Sequence, residues 1–301
     1  MKTRSVRNVK GSWLNYKRLP LIFFLYIVFC LISTPSSSWA IYTYTELDPP
    51  TGLAWFVPNY INDQGVVVGY GDGTNGFRSF LYSSGTYTEL LPYGWVNAMP
   101  YDINDKGVVV GSGSDGTTGK GFVYSGGSYI EMLPRDWAGV NACGINNKGV
   151  VVGAGIDGTN TNKSFLYIEG TYTEMPFPPG WTQVSPYKIN DKGDVIGIGF
   201  DGSTYGKGFL YSGGIYTELL PLDWVLANPT GINDKGVVVG SGWDGTYTMG
   251  FLYSNGTYTE LLPPNFMWAN ALGINNKGVV VGYGFQSTGG TFKWFIATPK
   301  K

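Results

Sequence analysis

Two apolar patterns alternate along the chain. Runs such as Val237-Val238-Val239 contain no polar residue and are bounded by Gly236 and Gly240. A short β-branched run of that kind predicts a strand covered on both faces. Segments such as Tyr258-Thr259-Glu260-Leu261 instead alternate, with Tyr and Glu on one face and Thr and Leu on the other. The stretch Ile232–Gly240 returns with small changes at Ile61, Ile103, Ile145, Ile189 and Ile274, five intervals over 213 residues and a mean period of 42.6. Repetition at this spacing sets the architecture before any single residue does.

One period, from Trp224 to Leu262, predicts four strands. Ala227 to Ile232 is the first, short and rich in small residues. Asn-Asp-Lys-Gly then turns the chain, its glycine supplying the positive φ that a tight hairpin needs. Gly236 to Gly240 is the second strand, Gly250-Phe-Leu-Tyr the third, and Thr257 to Leu262 the fourth. No segment has helical spacing, and 46 glycines with 17 prolines argue against helices.

Four antiparallel strands in about 42 residues make one blade of a β-propeller. Strands one to three occur six times, the last copy at 271–275, 278–284 and 292–297, after which the chain ends without a fourth strand. The missing copy stands at the other end, as Tyr42-Thr-Tyr-Thr-Glu-Leu47. We therefore expect an all-β, six-bladed propeller over 41–301, its ring closed by strand 42–47 completing the last blade. An open stack would need capping repeats instead.

Residues 1–40 read differently. Six basic residues and no acid precede an unbroken apolar run from Leu21 to Ile32, and Ser38-Trp39-Ala40 suits a signal-peptidase site. The twelve-residue run is short for a membrane span. A cleaved secretion signal is expected, giving a secreted or periplasmic bacterial protein with no membrane insertion. Cleavage would leave 14 basic against 21 acidic side chains, which disfavours nucleic acid as a partner. It would also leave Cys143 as the one cysteine, read as a buried inert thiol.

Chemistry is sparse. Histidine is absent, and no nucleophile elbow, zinc cluster or phosphate loop is present. The Asn-Asp-Lys-Gly turns lack the ligand spacing of a calcium loop, so no metal and no cofactor is expected. Every Asp or Glu that stands out recurs from blade to blade. A catalytic pair would break the repeat, and none is visible, so no catalytic residue is assigned. Lys120, Lys163, Lys207, Lys293 and Arg78 precede the strand-three Phe by two residues and are expected to pair with nearby carboxylates.

Loop parity points to one face. The turns between strands one and two and between three and four share an end of the blade and are all tight. The opposite end carries the long loops, with Trp55, Trp95, Trp137, Trp181, Trp224 and Trp268 before strand one, and Asp72, Asp115, Asp157, Asp201 and Asp244 after strand two. Indoles beside carboxylates suit sugar binding, by stacking and by accepting hydroxyl hydrogen bonds. The same residues also suit a structural role, the Trp as a wedge between blades and each Asp-Gly as a turn. The last repeat has Phe285-Gln-Ser-Thr where the Asp would fall. The axial channel is expected to be lined by small residues of strand one.

As a whole the unit resembles the extracellular HAF repeat of bacterial secreted proteins. Ala271-Leu-Gly-Ile-Asn-Asn-Lys-Gly-Val-Val-Val-Gly282 matches that family's Ala-x-Gly-Ile-Asn-x-x-Gly-x-Val-Val-Gly, and Gly250-Phe-Leu-Tyr-Ser-Asn-Gly-Thr-Tyr-Thr-Glu-Leu261 follows its later part. The family's His-Ala-Phe is replaced by Lys-Gly-Phe at 120–122 and 207–209 and by Lys-Ser-Phe at 163–165. The resemblance implies an exported propeller-like protein and carries no catalytic residue across. The expected function is a non-enzymatic module that binds a glycan or surface protein through the Trp and Asp-Gly face. The alternatives are a structural or assembly protein of the cell surface and a carboxylate-dependent glycan-cleaving enzyme.

Overall fold

Every Ile-Asn-x-x-Gly turn folds alike. Asn62 illustrates it: its Oδ1 accepts from the backbone N–H of Gln64 and of Val66, at 3.1 and 2.9 Å. The glycine three residues on, Gly65, takes φ +79°, and its five counterparts lie between +76° and +87°. Only glycine adopts that conformation freely, so the turn demands it. A hairpin of two tightly joined strands follows.

The computed structural model describes residues 42–47, 53–73, 76–203, 205–287 and 289–300. The expected signal at 1–40 and Cys30 lie outside the described residues. All regular structure in the described residues is β, in 24 strands with no helix. β1 is Tyr42–Leu47. Six four-stranded meanders follow in order, the last one borrowing β1. They are β2 to β5 (Leu53–Ile61, Val67–Gly73, Gly76–Ser83, Thr86–Glu89) and β6 to β9 (Asn97–Ile103, Val109–Ser114, Gly119–Ser125, Ser128–Met132). Next come β10 to β13 (Trp137–Ile145, Val151–Asp157, Asn162–Ile168, Thr171–Glu174) and β14 to β17 (Gln183–Ile189, Val195–Phe200, Lys207–Ser212, Ile215–Glu218). The last are β18 to β21 (Leu226–Ile232, Val238–Trp243, Thr248–Ser254, Thr257–Leu261) and β22 to β24 (Phe266–Ile274, Val280–Gln286, Phe292–Pro299).

β1 pairs antiparallel with β24, from Tyr42 opposite Pro299 to Leu47 opposite Trp294, and the last sheet runs β1-β24-β23-β22. The closing strand is therefore where the permuted sequence places it. The expectation of six separate blades needs correction. Four four-stranded sheets stand alone, while β6–β9 and β10–β13 share one eight-stranded sheet. The joint is a single parallel bridge, Gly119 to Gly139. Neither residue has a Cβ, so the two backbones can approach closely.

Glycine also explains how aromatic rings pack. A Cβ on Gly153 would stand 2.5 Å from the tip of Phe165, and one on Gly155 would stand 2.7 Å from the Trp137 ring. The Gly-x-Gly of each second strand is thus a floor for rings from strand three and from the start of strand one. Phe122, Phe165, Phe209 and Phe251 are fully buried on it.

Two rings of hydrogen bonds close the propeller at its tight-turn end. The Nδ2 of Asn62, Asn104, Asn146, Asn190, Asn233 and Asn275 each donates to the backbone carbonyl of the next, at 3.0 to 3.1 Å, and Asn275 returns to Asn62. Outside it, each following residue donates its N–H to the side-chain Oδ1 of its neighbour, in the order Asp63, Asp105, Asn147, Asp191, Asp234, Asn276 and back, at 2.7 to 2.8 Å. The turn residues, read from sequence as local, hold the whole ring together.

Candidate functional site

The wide-loop end is built by the starts of the first strands, and there the six tryptophans divide. Counted back from the turn Ile, Trp95, Trp137, Trp181 and Trp224 sit eight residues before it, whereas Trp55 and Trp268 sit six before it. Phe266 fills the eighth place in the last repeat. Trp95, Trp137, Trp181 and Trp224 pack edge-on against Phe122, Phe165, Phe209 and Phe251, with ring centroids 5.9 to 6.1 Å apart. Phe266 does the same against Phe295 at 5.9 Å. The residue before each wedge, Gly94, Asp136, Gly180, Asp223 or Asn265, takes a positive φ of 66° to 83°, the turn that swings the ring inward.

Trp55 and Trp268, like Trp137 at the start of β10, belong to strands rather than to the loops where sequence places them. Trp55 pairs in register with Asp72 and Trp268 with Phe285. Trp55 is 41% exposed and meets Tyr70 edge-on at 6.1 Å, with Tyr70 stacked on Phe77 at 5.4 Å. Trp268 contacts Tyr283 at 5.9 Å and Phe292 at 5.6 Å, and Phe77 and Phe292 are exposed. Burial, then the charge of the Tyr283 hydroxyl, raises the pKa of the Tyr70 hydroxyl. Tyrosine takes this second-strand position in the first and last repeats alone; the others carry Ser112, Ala154, Ile198 and Ser241.

The Asp-Gly residues turn inward on their own loops. Asp115 Oδ1 accepts from the N–H of Thr117 and Thr118 and from the Thr117 hydroxyl, and its Oδ2 lies 2.8 Å from Lys120 Nζ. Asp157 is held by Thr159 and Thr161, Asp201 by Ser203 and Lys207, and Asp244 by the N–H groups of Thr246 and Tyr247. The Lys120 ammonium and the Thr117 hydroxyl, in that order, hold the Asp115 carboxyl well below its ordinary range. Asp72 sits within β3. The expected strand-three cations pair across to the strand-four glutamates: Arg78–Glu89, Lys120–Glu131, Lys163–Glu174, Lys207–Glu218 and Lys293–Glu46, at 2.9 to 3.8 Å. Being exposed, such pairs add little stability.

The axis holds what sequence reasoning missed. The residue before the turn Ile is Gly144, Gly231 or Gly273 in three repeats and Tyr60, Asp102 or Lys188 in the others. Those three converge. Lys188 Nζ lies 3.2 Å from Asp102 Oδ1 and 4.4 Å from the centre of the Tyr60 ring, and it donates to the Tyr101 carbonyl. Tyr60 donates to the Ile274 carbonyl at 2.8 Å. Asp102 is 2% exposed and accepts from the N–H of Ile103 and of Ile145, at 3.0 and 2.8 Å. Burial pushes its pKa up to about 6 against the opposing pull of Lys188, whose own pKa burial lowers. A buried Asp–Lys pair thus departs from the repeat, where every carboxylate that stands out was expected to recur, and it plugs the channel expected to be lined by small residues. The signal was in the sequence, as departures from glycine at one repeat position.

Above the plug, a β-bulge in each first strand leaves one residue out of register: Asn59, Tyr101, Cys143, Tyr187, Thr230 and Leu272. A bulge re-aims its side chain. These six, with Asn141 and Lys188, line an axial cavity of about 340 Å³. Cys143 therefore faces the cavity rather than the core, and burial pushes its thiol up to about 11, so that it is mostly protonated and slow to react at neutral pH. Among the described residues no cluster of side chains has the composition of a metal site.

No family model and no curated protein matches the chain. Solved structures do match. TolB from Acinetobacter baumannii aligns with a TM-score of 0.55 at 13% identity over 82% of this chain, which spans 55% of TolB's length. A triple mutant of AofleA from Arthrobotrys oligospora aligns with a TM-score of 0.51 at 9% identity, over 84% of this chain and 86% of its own. A streptogramin B lyase covers 88% of this chain and all of its own at 16% identity, with a TM-score of 0.48. At these identities the likeness bears on the fold alone, and that fold is the all-β propeller.

Proposed function

We propose that this chain is an exported, non-enzymatic binding propeller that takes a glycan or a protein segment on its wide-loop face, with Trp55, Trp268 and their aromatic neighbours as the platform. In this reading the six meanders act as six blades, two of them sharing a sheet, and the protein belongs with the HAF-repeat proteins that it resembles. One observation carries it. Four of the tryptophans are spent as wedges, whereas Trp55 and Trp268 are set two residues further along the strand, beside tyrosines that the other repeats lack. Flat, partly exposed rings with nearby hydroxyls suit a sugar face.

Asp115, Asp157, Asp201 and Asp244 enter this reading as loop braces, since their oxygens are taken up by their own turns or by Lys. A non-enzymatic reading is supported by Asp102, the carboxylate that departs from the repeat, because both its oxygens are occupied and it is buried. A protein partner is favoured over a sugar by the apolar loop tips on the same face, where Tyr93 is 104% and Leu222 88% exposed. Glycan-array and surface-protein screens of the exported chain test the proposal, repeated with Trp55→Ala plus Trp268→Ala. We expect a saturable hit that the double variant loses by tenfold or more without a change in melting temperature. Binding indifferent to both tryptophans would sink it.

A further inference from the structure

Every repeat position that serves the fold carries nearly the same residue six times: the turn Asn, the turn Gly, the strand-three Phe. The bulged residue of the first strand does not. Asn59, Tyr101, Cys143, Tyr187, Thr230 and Leu272 bring five residue types to six positions around one axis, with only the tyrosine used twice. Packing between blades cannot be the cause, because the bulge takes these side chains out of the ladder and into the cavity. A volume of about 340 Å³ is that of a small-molecule site.

The lining defines what would fit. Charge is already balanced inside it: Lys188, buried in the floor, is neutralised by Asp102 at 3.2 Å. A charged ligand would lose its hydration and find no free counter-charge. Tyr101, Tyr187 and Leu272 supply apolar walls. Polar groups are few, and most are engaged: Thr230 donates to the Ala271 carbonyl, Asn59 to the Pro100 carbonyl, and Ser112 to the Tyr101 hydroxyl. The Tyr187 hydroxyl makes no hydrogen bond among the described residues, and Asn141 stands exposed at the mouth.

We propose that the axial cavity is a second binding site, distinct from the aromatic platform, for one small uncharged ring-bearing molecule that is mostly apolar and carries a single polar group for Tyr187 or Asn141. It stands whether or not the outer face binds a glycan or protein. Each bulged residue contributes one different wall, and that asymmetry allows a single orientation where a sixfold ring would allow six. The plug of Tyr60, Asp102 and Lys188 closes the far end, so the ligand enters from the wide-loop face.

N-Phenyl-1-naphthylamine, an uncharged fluorescent molecule of suitable size, is the probe. Titrated into the full chain, it should bind saturably at one site, and saturating probe should slow alkylation of Cys143 by N-ethylmaleimide at least fivefold, read by peptide mass mapping. Leu272→Trp, which fills the cavity, should weaken binding tenfold or more, while Leu222→Asp on the outer loops should leave it unchanged. Because the alkylation readout uses the unaltered protein, it stands even where Leu272→Trp fails to fold. Absence of saturable binding, no protection of Cys143, or loss of binding in Leu222→Asp would each overturn the assignment. Loss of glycan or protein binding in the tryptophan variants bears on the platform alone.

Discussion

Asn275 donates its side-chain amide to the backbone carbonyl of Asn62 at 3.1 Å, linking the last repeat to the first across 213 residues of chain. The same bond joins each of the other neighbouring repeats, so one side-chain type serves both as a local turn brace and as the seam of a closed ring. Each Asn accepts two backbone N–H groups and donates at least one bond while buried. Removing it orphans all three partners.

Asn146→Ala is therefore expected to cost about 2–4 kcal/mol, since a buried carbonyl and two backbone N–H groups lose a partner at once. Asn275→Ala should cost a similar amount. Urea denaturation of both variants measures this; a much smaller loss at Asn275 would mean that the ring is open in solution.

Removing residues up to Leu47 should be worse than any point change. It strips β1 from β24, exposes a sheet edge, and uncovers the surface under buried Tyr42 and under Tyr44, whose ring meets Phe295 at 5.6 Å. We expect an aggregated or unfolded product, seen by size-exclusion chromatography and circular dichroism.

The tryptophans should separate by stability. Trp137→Ala removes a ring wedged over Gly155 and against Phe165 and is expected to cost about 3 kcal/mol. Trp55→Ala, at a site 41% exposed, should cost less than about 1 kcal/mol. Thermal melts of the two variants compare them directly.

Asp102 makes stability depend on pH. Its folded pKa, pushed up to about 6, lies above the ordinary carboxyl value of 3.8, so the folded state keeps this proton after the unfolded chain has lost it. The resulting stabilisation is complete below pH 3.8 and is lost as pH rises through 6. The stability of wild type minus that of Asp102→Asn should therefore fall by about 2–3 kcal/mol between pH 4 and 6. Asp115, Asp157, Asp201 and Asp244 are shifted the other way, but both proteins share them and they cancel in the difference. A flat or rising difference across urea titrations at several pH values would refute this.

One repeat lacks its cross-strand ion pair. Met249 stands where the others carry Lys or Arg, and burial alone raises the pKa of the Glu260 carboxyl. Met249→Lys should restore the pair, bring that pKa down, and add under about 1 kcal/mol, measurable by denaturation and by its loss at high salt.

The repeat determined the strand content, the turn glycines, the closing role of 42–47 and the pairing of the strand-three cations with nearby carboxylates. Each follows from local conformation or from register along a hairpin, which a periodic sequence states six times over. The split of the tryptophans and the break from glycine at Tyr60, Asp102 and Lys188 were also written in the sequence, as offsets from the turn Ile. Their meaning was not, because residues 42 to 128 positions apart meet only where the ring brings them to one axis.

Tertiary structure alone decided three further matters. It merged two meanders into one sheet, because Gly119 and Gly139 come together only when neighbouring meanders pack. It turned the Asn side chains of six separate hairpins into one continuous ring. And it made an axial cavity from six bulge residues of five types, since a bulge is a mismatch between two strands and no single strand's sequence records it.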